Sequence, residues 1–148
     1  MRRGVLAAVG AVLVAVGVAC STASDRPAER AAVGAPLASS IEAEVVADSV
    51  VLTLSVTNAS GSAVELDFRS GQRYDFVVRT MAGAEVWRWS EGRMFTQALG
   101  RETLAPGETL TYSATWHAGD RAGAFMAEGE IPAENLRIER QTEFELPG

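Results

Sequence analysis

From residue 41 onward, apolar and polar side chains alternate with a period of two. Turn-forming clusters interrupt the alternation at roughly 8–12-residue spacing, the rhythm of an antiparallel β protein. Ile41, Ala43 and Val45 share one face against Glu42 and Glu44. After a break at Asp48 and Ser49, Val50, Leu52, Leu54 and Val56 share a face, with Thr53, Ser55 and Thr57 opposite. That division predicts a half-buried strand. Residues 58–62 supply a turn, in which Gly61 is free to take positive φ. Val64, Leu66 and Phe68 then resume the inward face, with Glu65 and Asp67 outward.

The densest aromatic stretch, residues 70–100, continues the pattern. Tyr74, Phe76 and Val78 point one way, and Asp75, Val77 and Arg79 the other. Residues 80–83 form a hairpin connection, and Glu85, Trp87 and Trp89 alternate with Val86 and Arg88. The break at residues 90–92 leads into an irregular loop over 93–100. Pro106 and Gly107 mark a turn over 104–108, since Pro presets φ and Gly accepts a left-handed conformation. Leu110, Tyr112, Ala114 and Trp116 then face inward, with Thr109, Thr111, Ser113 and Thr115 outward. After a polar loop over 117–123 come Phe125 and Ala127, a break at Pro132, and a charged alternating segment over 136–146. The pattern predicts an all-β, immunoglobulin-like antiparallel sandwich of roughly 7–8 strands with no helix. Trp87 and Trp89 are expected to fill its core, the alternative being a ring at a binding edge.

The first forty residues follow different rules. Met1, Arg2 and Arg3 form a basic start, and residues 4–19 are an uninterrupted Ala/Val/Leu/Gly run ending at Cys20, the single cysteine of the 148-residue chain. The run is short for a membrane span and suits a secretory leader. The placement of Cys20 resembles a bacterial lipoprotein signal, in which the cysteine is lipidated. Gly17 departs from that pattern, which usually has Leu three residues before the cysteine, so cleavage near Ala23 or an uncleaved anchor are the alternatives. The segment after it is rich in Ala, Ser, Pro and charge, with no aromatic residue, and cannot bury enough surface to offset the entropy of ordering it. Residues 1–19 are thus read as a signal peptide, 20–38 as the anchor cysteine and a disordered linker, and 39–148 as the sandwich. The expected location is the bacterial cell envelope or periplasm.

Charge narrows the partners. Loss of Arg2 and Arg3 with the leader would move the net charge from −6 to −8, and the chain has no lysine. Scattered arginines among more numerous carboxylates do not make a phosphate-binding surface, so no nucleic-acid partner is expected. With Cys20 lipidated, the domain has no thiol for a disulfide, a nucleophile or a metal. His117, the single histidine, has no second imidazole to share a metal and is read as a surface loop residue. Ser113, His117 and Asp120 are the residue types of a nucleophilic triad, but no nucleophile elbow accompanies them. The pairs Glu128/Glu130 and Glu143/Glu145 sit two apart and decorate one strand face, and Asp75/Glu85 is a third pair. No loop has the dense Asp/Asn spacing of a calcium site. No metal, cofactor or enzymatic activity is expected.

One resemblance gives these residues a more specific meaning. Ser70-Gly71-Gln72 followed by Tyr74-Asp75-Phe76, then Glu85-Val86-Trp87-Arg88-Trp89-Ser90, Phe95-Thr96-Gln97-Ala98 and Thr103-Leu104-Ala105-Pro106-Gly107-Glu108, ending at Trp116, resemble the BsuPI-type intracellular proteinase inhibitor family. The order and spacing match closely over 45–50 residues and more loosely from Ile41 to Leu146. The resemblance implies an immunoglobulin-like sandwich and, from the founding member, inhibition of a subtilisin-like serine protease. The leader departs from a cytoplasmic inhibitor, and a fold need not carry its activity along. An exported, monomeric inhibitor would act by inserting an exposed loop into a protease cleft. The candidate loop is Arg93, Met94, Phe95, Thr96 and Gln97, because subtilisin-like clefts accept large apolar side chains. The second candidate, within residues 69–73, is Ser70, Gly71 and Gln72. Phe95 is alternatively a plug at the sandwich end. The other function class left open is a cell-envelope adaptor module with no protease target.

Overall fold

A computed structural model describes residues 37–148; the leader, Cys20 and nearly all of the linker lie outside them. Nine strands and no helix make up the described residues: β1 (Leu37–Val46), β2 (Ser49–Asn58), β3 (Val64–Phe68), β4 (Asp75–Thr80), β5 (Glu85–Arg88), β6 (Gly100–Leu104), β7 (Thr109–His117), β8 (Gly123–Ile131) and β9 (Ile138–Leu146). They form a three-stranded sheet β1-β2-β7, a four-stranded sheet β5-β4-β8-β9 and a two-stranded ribbon β3-β6. All pairings are antiparallel. This is the immunoglobulin-like sandwich the alternation predicts. β1 opens at Leu37, so Leu37 and Ala38, assigned above to the linker, are strand residues.

The inward faces meet as the period of two requires. Val50, Leu52, Leu54 and Val56 from β2 are fully buried, as are Phe76 and Val78 from β4, Ala127 and Ile131 from β8, and Leu66 and Leu104 from the ribbon. Fully burying one such side chain contributes about 1.5–3 kcal/mol, so this shared layer is the main source of stability. On the outer face, hydroxyl pairs bridge β2 and β7: Thr53 to Ser113 at 3.1 Å and Thr57 to Thr109 at 2.7 Å.

Three features depart from the sequence reading. Asp75 and Val77, placed on the outward face of β4, are both buried. β6 spans residues between the loop expected over 93–100 and the turn expected over 104–108, where Gly100, Arg101, Glu102 and Thr103 offer no apolar alternation; only Leu104 is buried. Tryptophan is redistributed as well. Trp116 is the buried tryptophan, 2% exposed, whereas Trp87 and Trp89 are half-buried and pack against the rim of the core. The reason lies in β5, an edge strand of four residues whose register with β4 steps over Val86 between the pairs Val78–Trp87 and Arg79–Glu85. Trp87 and Trp89 both lie beyond that bulge, opposite Val78 and Phe76 on the inward face, but β5 ends the sheet and no further strand among the described residues covers the two rings.

Polar groups tie the ends of the sandwich. Asn58 is fully buried at the end of β2. Its amide donates to the carbonyls of Ser62 (2.7 Å) and Leu104 (3.0 Å), and its side-chain oxygen accepts from the backbone and hydroxyl of Ser60. It thereby joins the β2–β3 and β6–β7 turns. Asn135 closes the edge of β3, accepting from Asp67 N and donating to Glu65 O. Among the described residues, no buried side-chain nitrogen or oxygen lacks a partner.

Candidate functional site

The loop over residues 93–97 leaves the sheet from a fixed base. Asp75, the first residue of β4, is 5% exposed. One carboxylate oxygen accepts from the backbone N–H groups of Phe76 (2.9 Å) and Ser90 (3.0 Å). The other accepts from the Ser90 hydroxyl (2.6 Å) and the Arg88 guanidinium (2.9 Å). Arg88 also pairs with Glu85, donating from Nε and Nη2 at 3.0 Å each. The Glu85 hydrogen bond, followed by the bond to Asp75, holds the Arg88 guanidinium protonated well above its ordinary range, although burial opposes this. The same Arg88 hydrogen bond holds the Glu85 carboxyl below the usual carboxylate range. The Asp75/Glu85 pair is therefore a cation-bridged clamp at the root of the loop. Its oxygens are occupied by protein donors, which leaves it unsuited to acid–base work.

Beyond Ser90 the chain runs along a stack of half-buried rings. Tyr112 stacks on Tyr74 with centroids 4.6 Å apart, Tyr74 meets Trp89 at 4.2 Å, and Trp89 meets Phe95 at 5.8 Å. Arg93 folds back over this stack. Its Nε donates to Trp89 O at 2.8 Å, and its guanidinium carbon lies 4.4 Å from the centre of the Trp89 ring, a cation–π arrangement.

The two candidate segments, 25 residues apart in sequence, meet here. Gly71 N donates to Thr96 O at 2.8 Å, and a Cβ on Gly71 would stand 2.5 Å from the Thr96 hydroxyl oxygen, so a side chain here would have to turn that hydroxyl aside. Ser70 is fixed in turn by Arg73, whose Nη1 donates to Ser70 O at 2.7 Å and whose Nε donates to Glu102 at 2.9 Å, with the guanidinium over Phe68. Gln72 turns to its own segment, bonding Ser70 Oγ and Tyr74 O. Gln97 bonds only within its loop, donating to Phe95 O at 3.3 Å. Of the segment 93–97, Phe95 is half-buried, while Met94 is 98% exposed. Phe95 thus packs on the ring stack, close to the plug at the sandwich end anticipated as its alternative role. Leu99, further along the same connection, is 83% exposed.

Other candidate chemistry does not assemble. Ser113 Oγ pairs with Thr53 on the neighbouring strand, and His117 Nδ1 lies 2.9 Å from Ser49 Oγ, which itself donates to Asp48. The triad types therefore point to other partners. Among the described residues, no group of three or more His, Cys, Asp or Glu side chains is placed to hold a metal ion. An open cavity of about 350 Å³ lies beside Ser70 and Gln72, but the charges around it neutralise one another: Arg69 pairs with Glu134, and Arg137 with Glu130.

A family model described as BsuPI, intracellular proteinase inhibitor, matches residues 37–136, which is nearly the whole described domain. The chain belongs to the BsuPI family. The match spans every segment that carries the resemblance, from Ser70 to Trp116. No curated protein matches the chain. Among solved structures, it resembles part of EmGH1, a β-glucosidase from Erythrobacter marinus, at 14% identity and a TM-score of 0.44. That alignment covers 75% of this chain and 15% of the glucosidase. A penta-haem cytochrome c552 from Thermochromatium tepidum aligns at 9% identity and a TM-score of 0.47, over 75% of this chain and 40% of the cytochrome. A protein described as ApaA from Bordetella pertussis aligns at 18% and 0.42, over 74% and 91% of the two chains. Likenesses at these scores carry no functional argument.

Proposed function

We propose that this BsuPI-family chain is an exported inhibitor of a subtilisin-like serine protease and presents residues 93–97 to the protease cleft. The observation that supports this most directly is the bracing of that loop at both ends. Arg93 is held to Trp89, and Thr96 is held to Gly71. An inhibitory loop must arrive already ordered, because every rotamer-rich side chain fixed on binding costs about 0.5–1.5 kcal/mol. The basic start, apolar run and Cys20 support export with a lipid anchor, and on that reading the target is a protease outside the cytoplasm.

Titrating a subtilisin-type protease with the purified protein tests the proposal. Stoichiometric slowing of substrate turnover is the expected result. Digestion of the protein without slowed turnover would favour an adaptor role in the envelope instead. Incorporation of labelled lipid, lost in Cys20→Ser, tests the anchor separately.

A further inference from the structure

We infer that Met94 is the specificity-determining residue of the loop, the side chain that fills the primary pocket of the target protease, and that the target is therefore a protease whose pocket is apolar. The inference rests on the inhibitor reading above. By sequence, the neighbouring Arg93 is the more obvious candidate, and an arginine in that role would point to a protease with an acidic pocket, as in trypsin. The geometry removes it. The Arg93 Nε is committed to Trp89 O, and its guanidinium lies over the Trp89 ring. Phe95, on the other side, is turned into the ring stack at 5.8 Å from Trp89. Thr96 is tied through its carbonyl to Gly71. Met94, between these anchored neighbours, is 98% exposed and the most exposed large apolar side chain among the described residues.

An apolar side chain left in water at the crest of a braced segment gains on entering a dry, apolar pocket, and Met is unbranched and adapts to irregular ones. The anchored neighbours also explain how such a loop would resist turnover. After cleavage, the two new ends would stay tethered near each other by Arg93–Trp89 and Thr96–Gly71. Leu99, the next most exposed large apolar residue, lies five positions further along and would touch the rim of a cleft already occupied by Met94.

The test compares Met94→Asp, Met94→Leu and Met94→Lys in the full protein against a subtilisin-type protease and against trypsin. Because Met94 touches little else, all three should fold with unchanged far-ultraviolet circular dichroism and Tm. Met94→Leu should inhibit the subtilisin-type enzyme within a few-fold of the parent. Met94→Asp should weaken inhibition by at least about 30-fold, the loss typical of a binding hot spot. Met94→Lys should lose the first target and gain measurable inhibition of trypsin. Inhibition by Met94→Asp equal to that of the parent overturns the assignment of Met94 while leaving the inhibitor reading intact. A parent protein that inhibits neither enzyme overturns both.

Discussion

Two aromatic clusters stand at different places in the sandwich, and they are built for different purposes. In one, Trp116 meets Phe125 edge-on at 5.5 Å and Phe144 at 6.3 Å, with Phe125 and Phe144 6.0 Å apart. Trp116 and Phe125 are almost fully buried there, and the contacts join β7 of one sheet to β8 and β9 of the other. In the second, Tyr112, Tyr74, Trp89 and Phe95 form a row of half-buried rings that ends on the loop. The first cluster closes the layer between the sheets. The second leaves ring surface in reach of solvent and uses it to seat a segment that has no strand pairing of its own. Ring count alone does not distinguish core from platform. Placement relative to the strands does: Trp116, Phe125 and Phe144 sit within β7, β8 and β9, whereas Tyr74, Trp89 and Phe95 of the second row lie outside the strands.

The largest effect that separates the clusters is thermodynamic. Trp116→Ala should cost about 3–5 kcal/mol, the loss for truncating a buried tryptophan, which is a large share of a small domain's stability. Trp89→Ala should cost about 2 kcal/mol, because its ring is half-exposed and loses mainly the contacts to Tyr74 and Phe95. Its effect on protease inhibition should be the greater of the two in any variant that stays folded. Urea unfolding of both proteins checks the order. Equal losses would mean that the two clusters are one core.

Much of this was legible before the structure. The period of two predicts the inward faces of β2, β3 and β7 residue by residue, with Trp116 inward; in β4 it finds Phe76 and Val78 but leaves the buried Val77 on the outward face. Carried two residues further, the same parity puts Asn58 on the inward face after Val56, so a buried polar hub could have been anticipated there. Other features left no such trace. β6 has one apolar residue in five, so its existence depends on pairing with β3, which local sequence does not encode. Asp75 falls on the outward parity, and the bonds from Arg88 and Ser90 that satisfy it once buried are tertiary. Both candidate loops were nameable from turn residues and the family pattern. Their contact through Gly71 and Thr96 is tertiary and has no local signature. Trp87 and Trp89 stand on the face that the alternation predicts, but they are only half-buried because they lie at the open edge of the sheet, a position that periodicity does not encode.

A middle-sized effect concerns the clamp beneath the loop. In Asp75→Asn, an amide group would face donors that the carboxylate now accepts from, leaving a buried mismatch worth about 1–3 kcal/mol. Its consequence should be local as well as global. Amide hydrogen exchange over residues 89–97 should rise more than in β2 or β8, because Asn keeps only one of the two acceptor oxygens that Ser90 now bonds. An even rise across the sandwich would show that the loop platform has no independence from the core.

The smallest effect is electrostatic and confined to the platform. Burial raises the Tyr112 hydroxyl above its ordinary value of 10.0, with the nearby Glu102 carboxylate acting in the same direction and Arg73 opposing it. A raised folded-state value means that ionisation is easier in the unfolded chain. The contribution of Tyr112 is therefore complete below pH 10.0 and is lost as pH rises through the folded-state value. Stability should decline in that alkaline window more steeply in the parent than in Tyr112→Phe, which retains the stack on Tyr74 but cannot ionise. Trp116 and its two phenylalanine neighbours carry no titratable group, so a Phe144→Leu variant should keep the parent's alkaline slope at reduced overall stability. Identical slopes in the parent and Tyr112→Phe would show that the hydroxyl is as well hydrated in the folded protein as in the unfolded chain. The platform would then be wetter than its ring contacts imply, and less able to hold the loop ready for a partner.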